Sequence, residues 1–180
     1  MEMSISKINA QTTGTFKDSR DGKTYKTIKI GNQIWMAENL AYKPSSGNYW
    51  SYDDDQSNVT KYGYLYDWET AKKVAPKGWH LLTRAEFLIL LNNFGGEEDR
   101  EAYNVLLKKG ESNFNALFAG YRHHMGSYSN KERDTGLWSA TESNPSLAWN
   151  CFINGNFVSK RDMRFYNHKV VGLSVRLLKD

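Results

Sequence analysis

The stretch WHLLTRAEFLILLNNFGG, residues 79–96, decides what kind of fold the chain can adopt. Thr83 followed by Glu86 has the spacing of a capping box, in which each side chain satisfies a backbone N–H at the start of a helix. Phe87, Leu90, Leu91 and Phe94 then recur at i, i+3, i+4 and i+7, one face of a helix, and Gly95 supplies a residue that can close its C-terminus. On its N-terminal side, YDWETAKKVAPKG predicts a short helix. Asp67 is its N-cap, Trp68, Ala71 and Ala75 lie on one side, and Pro76 stops it. On its C-terminal side, EEDREAYNVLLKKG predicts a third helix, acidic in its first turn and ending at Lys108, Lys109 and Gly110.

Outside this helical middle the pattern changes. In KTYKTIKI, between the turn signals Asp21-Gly22 and Gly31-Asn32, alternation places Thr24, Lys26, Ile28 and Ile30 on one strand face, so short hairpin strands are expected. Residues 41–61 are rich in Ser, Gly, Asn and Asp and read as a long irregular loop. From Ala116 to Asp180 come short runs separated by Gly, Asn and Pro: ALFAGYR, GLWSATE, LAWNCFI, NFVSKRDM and VVGLSVRLL. Helices in the middle and antiparallel strands around them make an α+β domain. Residues 1–13 read as a polar tail or processing remnant and 14–180 as one domain, since 180 residues would divide into two small and marginal cores.

Composition narrows the function. A net charge of +4, with no dense basic run among the aromatics, argues against nucleic acid. A single cysteine, Cys151, excludes an internal disulfide and a thiolate zinc site. No run approaches 18 apolar residues, and MEMSISKINAQTTG lacks the apolar stretch of a signal peptide, so membrane insertion is not expected. No phosphate-binding glycine loop, Ser-His-Asp order or HExxH helix is present.

Six segments together resemble the Fibrobacter succinogenes major paralogous domain family. In order they are GTFKDSRDGKTYKTIKIGNQIWMAENL, YGYLYDWETAKKVAPKGWHLLTRAEF, FAGYR, LWSATES, AWNCFI and GLSVRLLKD. The resemblance implies a C-type lectin-like fold, with two main helices packed on twisted antiparallel sheets, long irregular loops, and N- and C-terminal strands close together. That broad fold is shared with formylglycine-generating enzymes and with the variable proteins of diversity-generating retroelements. It implies a display scaffold more than a reaction. The chain departs from the family pattern at Val59, Ala75 and Leu177, where members often carry cysteines. It departs again at Leu82, where proline is common and where leucine can act as a hydrophobic staple.

The resemblance directs attention to SLAWNCFING, residues 146–155. Sugar-binding C-type lectins hold calcium with a Trp-Asn-Asp triplet. Here the triplet ends in Cys151, whose thiol is not the hard oxygen ligand that calcium requires, and ESNPS, residues 142–146, is not the accompanying loop motif. Formylglycine-generating enzymes use two cysteines, which one cannot reproduce. By alternation Trp149, Cys151 and Ile153 face the core, leaving Asn150, Phe152 and Asn154 on the expected solvent side.

Neighbouring segments extend that candidate surface with Arg122, His123 and His124, with Glu142 and Asn144, and with Asn156, Arg161, Arg164, Tyr166, Asn167 and His168. Tyr121 and Tyr128 lie among them, and Arg, Tyr and His so clustered are typical interface anchors. Residues 157–180 carry six Lys and Arg against two Asp, which favours an acidic glycan or protein patch. A histidine metal site is disfavoured because adjacent strand residues such as His123 and His124 point apart. The aspartates of YDDDQSN lack the spacing of an EF-hand. Trp35, Trp68, Trp79 and Trp138 are expected in the core, with Trp50 left open.

The expectation is therefore a noncatalytic module, without metal or cofactor, that binds a protein or glycan at the cell surface. In one form it is a retroelement target diversified at Asn144, Asn150, Asn154, Asn156 and Asn167. The alternatives are a structural component of a surface fibre, polysaccharide-degrading assembly or phage tail, in the cytoplasm or the phage particle, and an enzyme related to the formylglycine-generating group.

Overall fold

The computed structural model describes residues 12–96, 100–107, 112–154 and 165–180. Among the described residues there are thirteen strands: β1 (Thr12–Lys17), β2 (Thr24–Ile30), β3 (Gln33–Met36), β4 (Tyr49–Trp50), β5 (Leu65–Tyr66), β6 (Trp79–Leu81), β7 (Ala119–Arg122), β8 (Tyr128–Lys131), β9 (Asp134–Glu142), β10 (Leu147–Asn154), β11 (Phe165–His168), β12 (Leu173–Ser174) and β13 (Leu177–Lys179). The α-helices are α1 (Val59–Tyr62), α2 (Trp68–Ala71), α3 (Arg84–Asn92) and α4 (Arg100–Asn104). The architecture is mixed α+β and dominated by strands.

One sheet runs β1-β2-β3-β13-β6, which places the first strands beside the last one. The other runs β11-β10-β9-β12-β5-β4, with β7 parallel to β9 and β8 paired to β7. β1 begins at Thr12, ahead of the expected boundary at Gly14, because pairing with β2 extends to Thr12 opposite Lys29. The two-residue turn Gly31-Asn32 joins β2 to β3, with Gly31 at φ 56, the left-handed backbone such a hairpin needs.

α3 forms as its sequence requires. The Thr83 side chain accepts from the Glu86 N–H, and Glu86 reaches back to Thr83, completing the capping box. Phe87, Leu90 and Leu91 are buried, and the staple residue Leu82 joins the same cluster. Asp67 caps α2 by accepting from Thr70 N–H at 2.8 Å. Of the third expected helix, Arg100–Asn104 is helical and Val105–Leu107 is not, while 97–99 and 108–110 lie outside the described residues. The loop at 41–61 contains β4, two 3-10 turns and the start of α1.

Two apolar clusters fill the molecule, and several strands feed both. Trp35, Leu82, Leu137 and Leu178 enter one, while their neighbours Met36, Leu81, Trp138 and Leu177 enter the other. Successive side chains on a strand point to opposite faces, so a strand covered on both sides shows adjacent apolar residues rather than alternation. β2 divides lengthwise instead. Tyr25 is buried on one face at its start and Ile28 and Ile30 on the other at its end, while Thr24 and Lys26 are exposed. The expected single face of β2 therefore changes from solvent to core along its length. Trp35, Trp68, Trp79 and Trp138 are all buried.

Arg176 lies wholly inside, between β12 and β13. Its Nε donates to Asn39 Oδ1 at 2.9 Å, Nη2 to the Asn115 carbonyl at 2.7 Å, and Nη1 to the Phe114 carbonyl. The guanidinium also sits over the Phe114 ring, 4.5 Å from its centroid. Asn39 passes the connection on, donating to the Tyr62 carbonyl and to Ser174 Oγ. Asn113 and Asn115 have φ of 52° and 54°, a region asparagine tolerates better than most residues.

His80 on β6 lies between Asp180 (2.6 Å) and Glu86 (3.0 Å), joining the chain end to the capping box of α3. Burial opposes its charge, but the hydrogen bonds to Asp180 and Glu86 outweigh that and raise its pKa. The folded state therefore holds the proton more tightly than the unfolded chain. This contribution is fully present below about pH 6.5 and is lost as pH rises through the raised value. Urea midpoints measured at intervals from pH 5 to 9 should show a small decline above that point, and His80→Gln should flatten it. A decline unchanged in His80→Gln would assign it elsewhere.

Candidate functional site

β10 is the centre of the predicted surface, and its core face is as expected. Cys151 and Ile153 are buried in the cluster under α3, and Trp149 is buried beneath Arg84, whose guanidinium lies 4.4 Å from the indole centroid. Burial pushes the Cys151 thiol pKa up, the opposite of what a nucleophile needs. A disulfide-exchange reagent should leave native Cys151 unmodified and label one thiol after denaturation. Rapid native labelling would contradict the core placement.

The other face differs from expectation. Ala148 and Asn150 are both fully buried, because Trp138 of β9 lies opposite Asn150 and belongs, with Ala148, to the second cluster. Asn150 is therefore an interior amide rather than a surface contact. Only the far end of the strand opens: Phe152 and Asn154 are half-buried. Phe152 meets Tyr121 of β7 edge-on at 6.1 Å, and Asn154 lies opposite Asp134. Burial raises the pKa of the Asp134 carboxyl despite a hydrogen bond from Asn130 at 2.5 Å.

β7 and its following loop supply the second part. Arg122 exchanges backbone hydrogen bonds with Gly172, both 2.9 Å, which seats the loop 123–127 beside the turn 168–171. Its guanidinium lies 4.2 Å from the Trp50 ring centroid and 5.9 Å from that of Tyr128. Trp50, the tryptophan left open by its sequence context, is thus half-buried under a cation. Tyr128 donates to Asp54 at 2.6 Å, and burial followed by this hydrogen bond pushes its pKa up to about 12. His123 turns toward Ser129 (Nε2 to Oγ, 3.2 Å) and packs on Tyr121, whereas His124 is exposed and faces His168, ring centroids 6.2 Å apart. His123 and His124 lie in the loop after β7, not on a strand as expected, and their rings have separate partners.

β11 is the edge strand, and its residues split between faces. Asn167 lies opposite Ala148, while Tyr166 lies opposite Trp149 and meets its ring edge-on at 5.6 Å. Tyr166 therefore belongs to the face of Trp149 and Arg84, not to that of Phe152. Two other predicted contacts are structural ties. Glu142 binds Lys169 at 2.5 Å, a hydrogen bond that lowers its pKa. Asn144 Oδ1 accepts from the N–H groups of Ser146 and Leu147, each 2.9 Å, and so shapes the β9–β10 turn. Asn156, Arg161 and Arg164 lie outside the described residues.

Sequence reasoning missed two exposed apolar side chains on the paired segments, Met125 (84 % exposed) and Val170 (59 %). Met125 stood beside a turn glycine in HHMGS, whereas Val170, next to the buried Val171 in HKVVG, had no local signal that separated it from its neighbour. The Arg122 stack on Trp50 joins residues far apart in sequence and had no local signal. Among the described residues no group of three His, Cys, Asp or Glu could hold a metal ion. Asp54 and Asp55 instead serve Tyr128 and the N–H of Ser57. No helix among the described residues is long and apolar enough to cross a membrane.

The model of the Fibrobacter succinogenes major domain matches residues 28–179. The chain belongs to that family. The match begins within β2 and runs to the last residue of β13, so among the described strands of this family member only β1 and the first part of β2 precede it. No curated protein and no solved structure matches the chain.

Proposed function

We propose that this domain is a noncatalytic, C-type lectin-like binding module that presents a C-terminal strand-and-loop surface to a protein or glycan ligand at the cell surface. The observation that carries the reading is the pairing of two exposed segments, the loop with His124 and Met125 and the turn with His168 and Val170, joined by the Arg122–Gly172 backbone bonds and the His124–His168 ring contact, with Tyr121 of the preceding strand packed on Phe152. An exposed mixture of aromatic, imidazole and apolar groups on a rigid sheet suits recognition, since rings supply contact area at small entropic cost. Burial of the only thiol supports a binding role over a formylglycine-generating type of chemistry.

Capture should be measured on immobilised oligosaccharide panels and on intact bacterial and host cell surfaces, with Phe152→Ala, His124→Ala and Met125→Ser compared with the parent. Loss of about 1–2 kcal/mol per anchor, roughly 5- to 30-fold in affinity, is expected with thermal midpoints retained. Undiminished capture by all three folded variants would remove the site from this surface. Diversification by a retroelement is a separate matter of DNA. It requires an imperfect copy of the coding region for residues 139–176, differing mainly at adenines, beside a reverse transcriptase gene.

A structural role in an assembly is favoured by β1, the outer strand of its sheet and exposed along nearly all its length. An open edge is a template for pairing with another strand. Self-association that persists on dilution in sedimentation velocity runs, and that Thr13→Pro abolishes, would favour this reading.

A further inference from the structure

A cavity of about 340 Å³ opens between the loop 42–48 and α2, and it shares no residue with the site described above. Its walls are fastened before any ligand arrives. Asn48 donates its backbone N–H to Thr70 Oγ1 at 2.8 Å and its side-chain amide to Asp67 Oδ2 at 2.7 Å, while Asp67 N–H donates to the Asn48 carbonyl at 3.1 Å. Gly47, at φ +95, lies so close to Thr70 that an added Cβ would stand 2.3 Å from its hydroxyl oxygen. Opposite them Arg20 covers the Tyr42 ring at 3.7 Å and donates to the Val74 carbonyl at 2.9 Å. A pocket held this way loses little conformational freedom on binding.

The chemistry of the lining selects the ligand class. Formal charges balance, with Arg20 and Lys73 against Asp67 and Glu69. Arg20 is committed to the buried Asp18 through Nε and Nη2, at 2.9 and 2.6 Å, and Glu69 to Lys72 at 3.2 Å. What remains for a ligand is the Lys73 ammonium, the hydroxyls of Ser45, Ser46 and Tyr42, and the unshared lone pairs of Asp67, since a carboxylate can accept about four hydrogen bonds. A multiply charged anion would be forced against Asp67, and an apolar molecule would leave these polar walls without water or partners. A ligand whose groups both donate and accept meets the carboxylate and the ammonium together. The volume falls at the lower end of small-molecule pockets.

We infer that this cavity is a binding pocket for a neutral polyhydroxylated ligand, a sugar of one or two rings. Uniformly ¹⁵N-labelled protein titrated with methyl glucoside, methyl galactoside, methyl mannoside and cellobiose should show saturable shifts of the Gly47, Asn48 and Thr70 amides with at least one of them, with a Kd on the order of 1 mM. Ser46→Trp, a change at an exposed position that fills the opening, should abolish the shifts, Lys73→Ala should weaken binding roughly tenfold, and Phe152→Ala should leave it unchanged. No shift with any of these sugars at about 50 mM, or shifts that persist in folded Ser46→Trp, overturns the proposal. So do saturable shifts with inorganic phosphate or glycine when the sugars give none. Because Phe152→Ala belongs to the other surface, the two readings fail independently.

Discussion

Arg176→Ala is expected to destabilise the domain by about 2–4 kcal/mol, since three buried acceptors at about 1–3 kcal/mol each lose their donor while the cost of burying the guanidinium charge is relieved. The effect arises less from the lost charge than from the groups left behind. Asn39 Oδ1 and the carbonyls of Phe114 and Asn115 are held by one planar donor set, and no water-sized substitute is tethered there by alanine. Arg176→Lys should recover only part of the loss, because an ammonium is a point donor that cannot span three acceptors arranged for a fork. Urea unfolding followed by tryptophan fluorescence measures both variants. A loss below about 1 kcal/mol in Arg176→Ala would show that the network contributes little net stability.

Gly120→Ala should have an effect of similar size, about 2–4 kcal/mol, or roughly 5–12 °C in thermal midpoint. Gly120 sits in β7 at φ +68, and an added Cβ would stand 2.5 Å from the Ser129 carbonyl oxygen, 2.6 Å from Tyr52 Cε2 and 2.7 Å from the Lys131 nitrogen. Two of those atoms are backbone of the paired strand β8, which cannot rotate away. Gly22 provides the control, since it has φ +77 but open space where its Cβ would be. Gly22→Ala therefore reports the conformational strain alone, and the difference between the variants isolates the steric part. Equal effects would mean that β7 moves aside freely, and the placement of Tyr121 and Arg122 would then not depend on that glycine.

How much of this could be read in advance depended on whether a signal was local. The capping box of α3, the Asp67 cap and the Gly31-Asn32 turn are set by residues within a few positions of each other, and all three form as the sequence required. Cys151 and Ile153 were legible because alternation needs only the strand itself. Asn150 was not. Its burial depends on Trp138 and the second apolar cluster, and a period of two cannot reveal that both faces of a strand are covered. Tyr166 was misplaced for a related reason: the face it occupies follows from register with Trp149, which no single strand contains. Glu142 and Asn144 had the right chemistry for contact, but nearby partners in the folded chain use it for an ion pair and a turn. The pocket beside Asp67 combines a residue next to the Asp21-Gly22 turn with segments that appeared separately as a polar loop and a helix cap.

The division of β10 into an enclosed half and an open half also limits how its sequence can vary over evolutionary time. Substitutions drawn at random would be purged from 148 to 151, where each side chain has an interior neighbour, and accepted at 152 and 154. Any process that rewrites specificity here works with a short alphabet of positions, so a collection of related sequences should show its variation beginning abruptly midway along one strand.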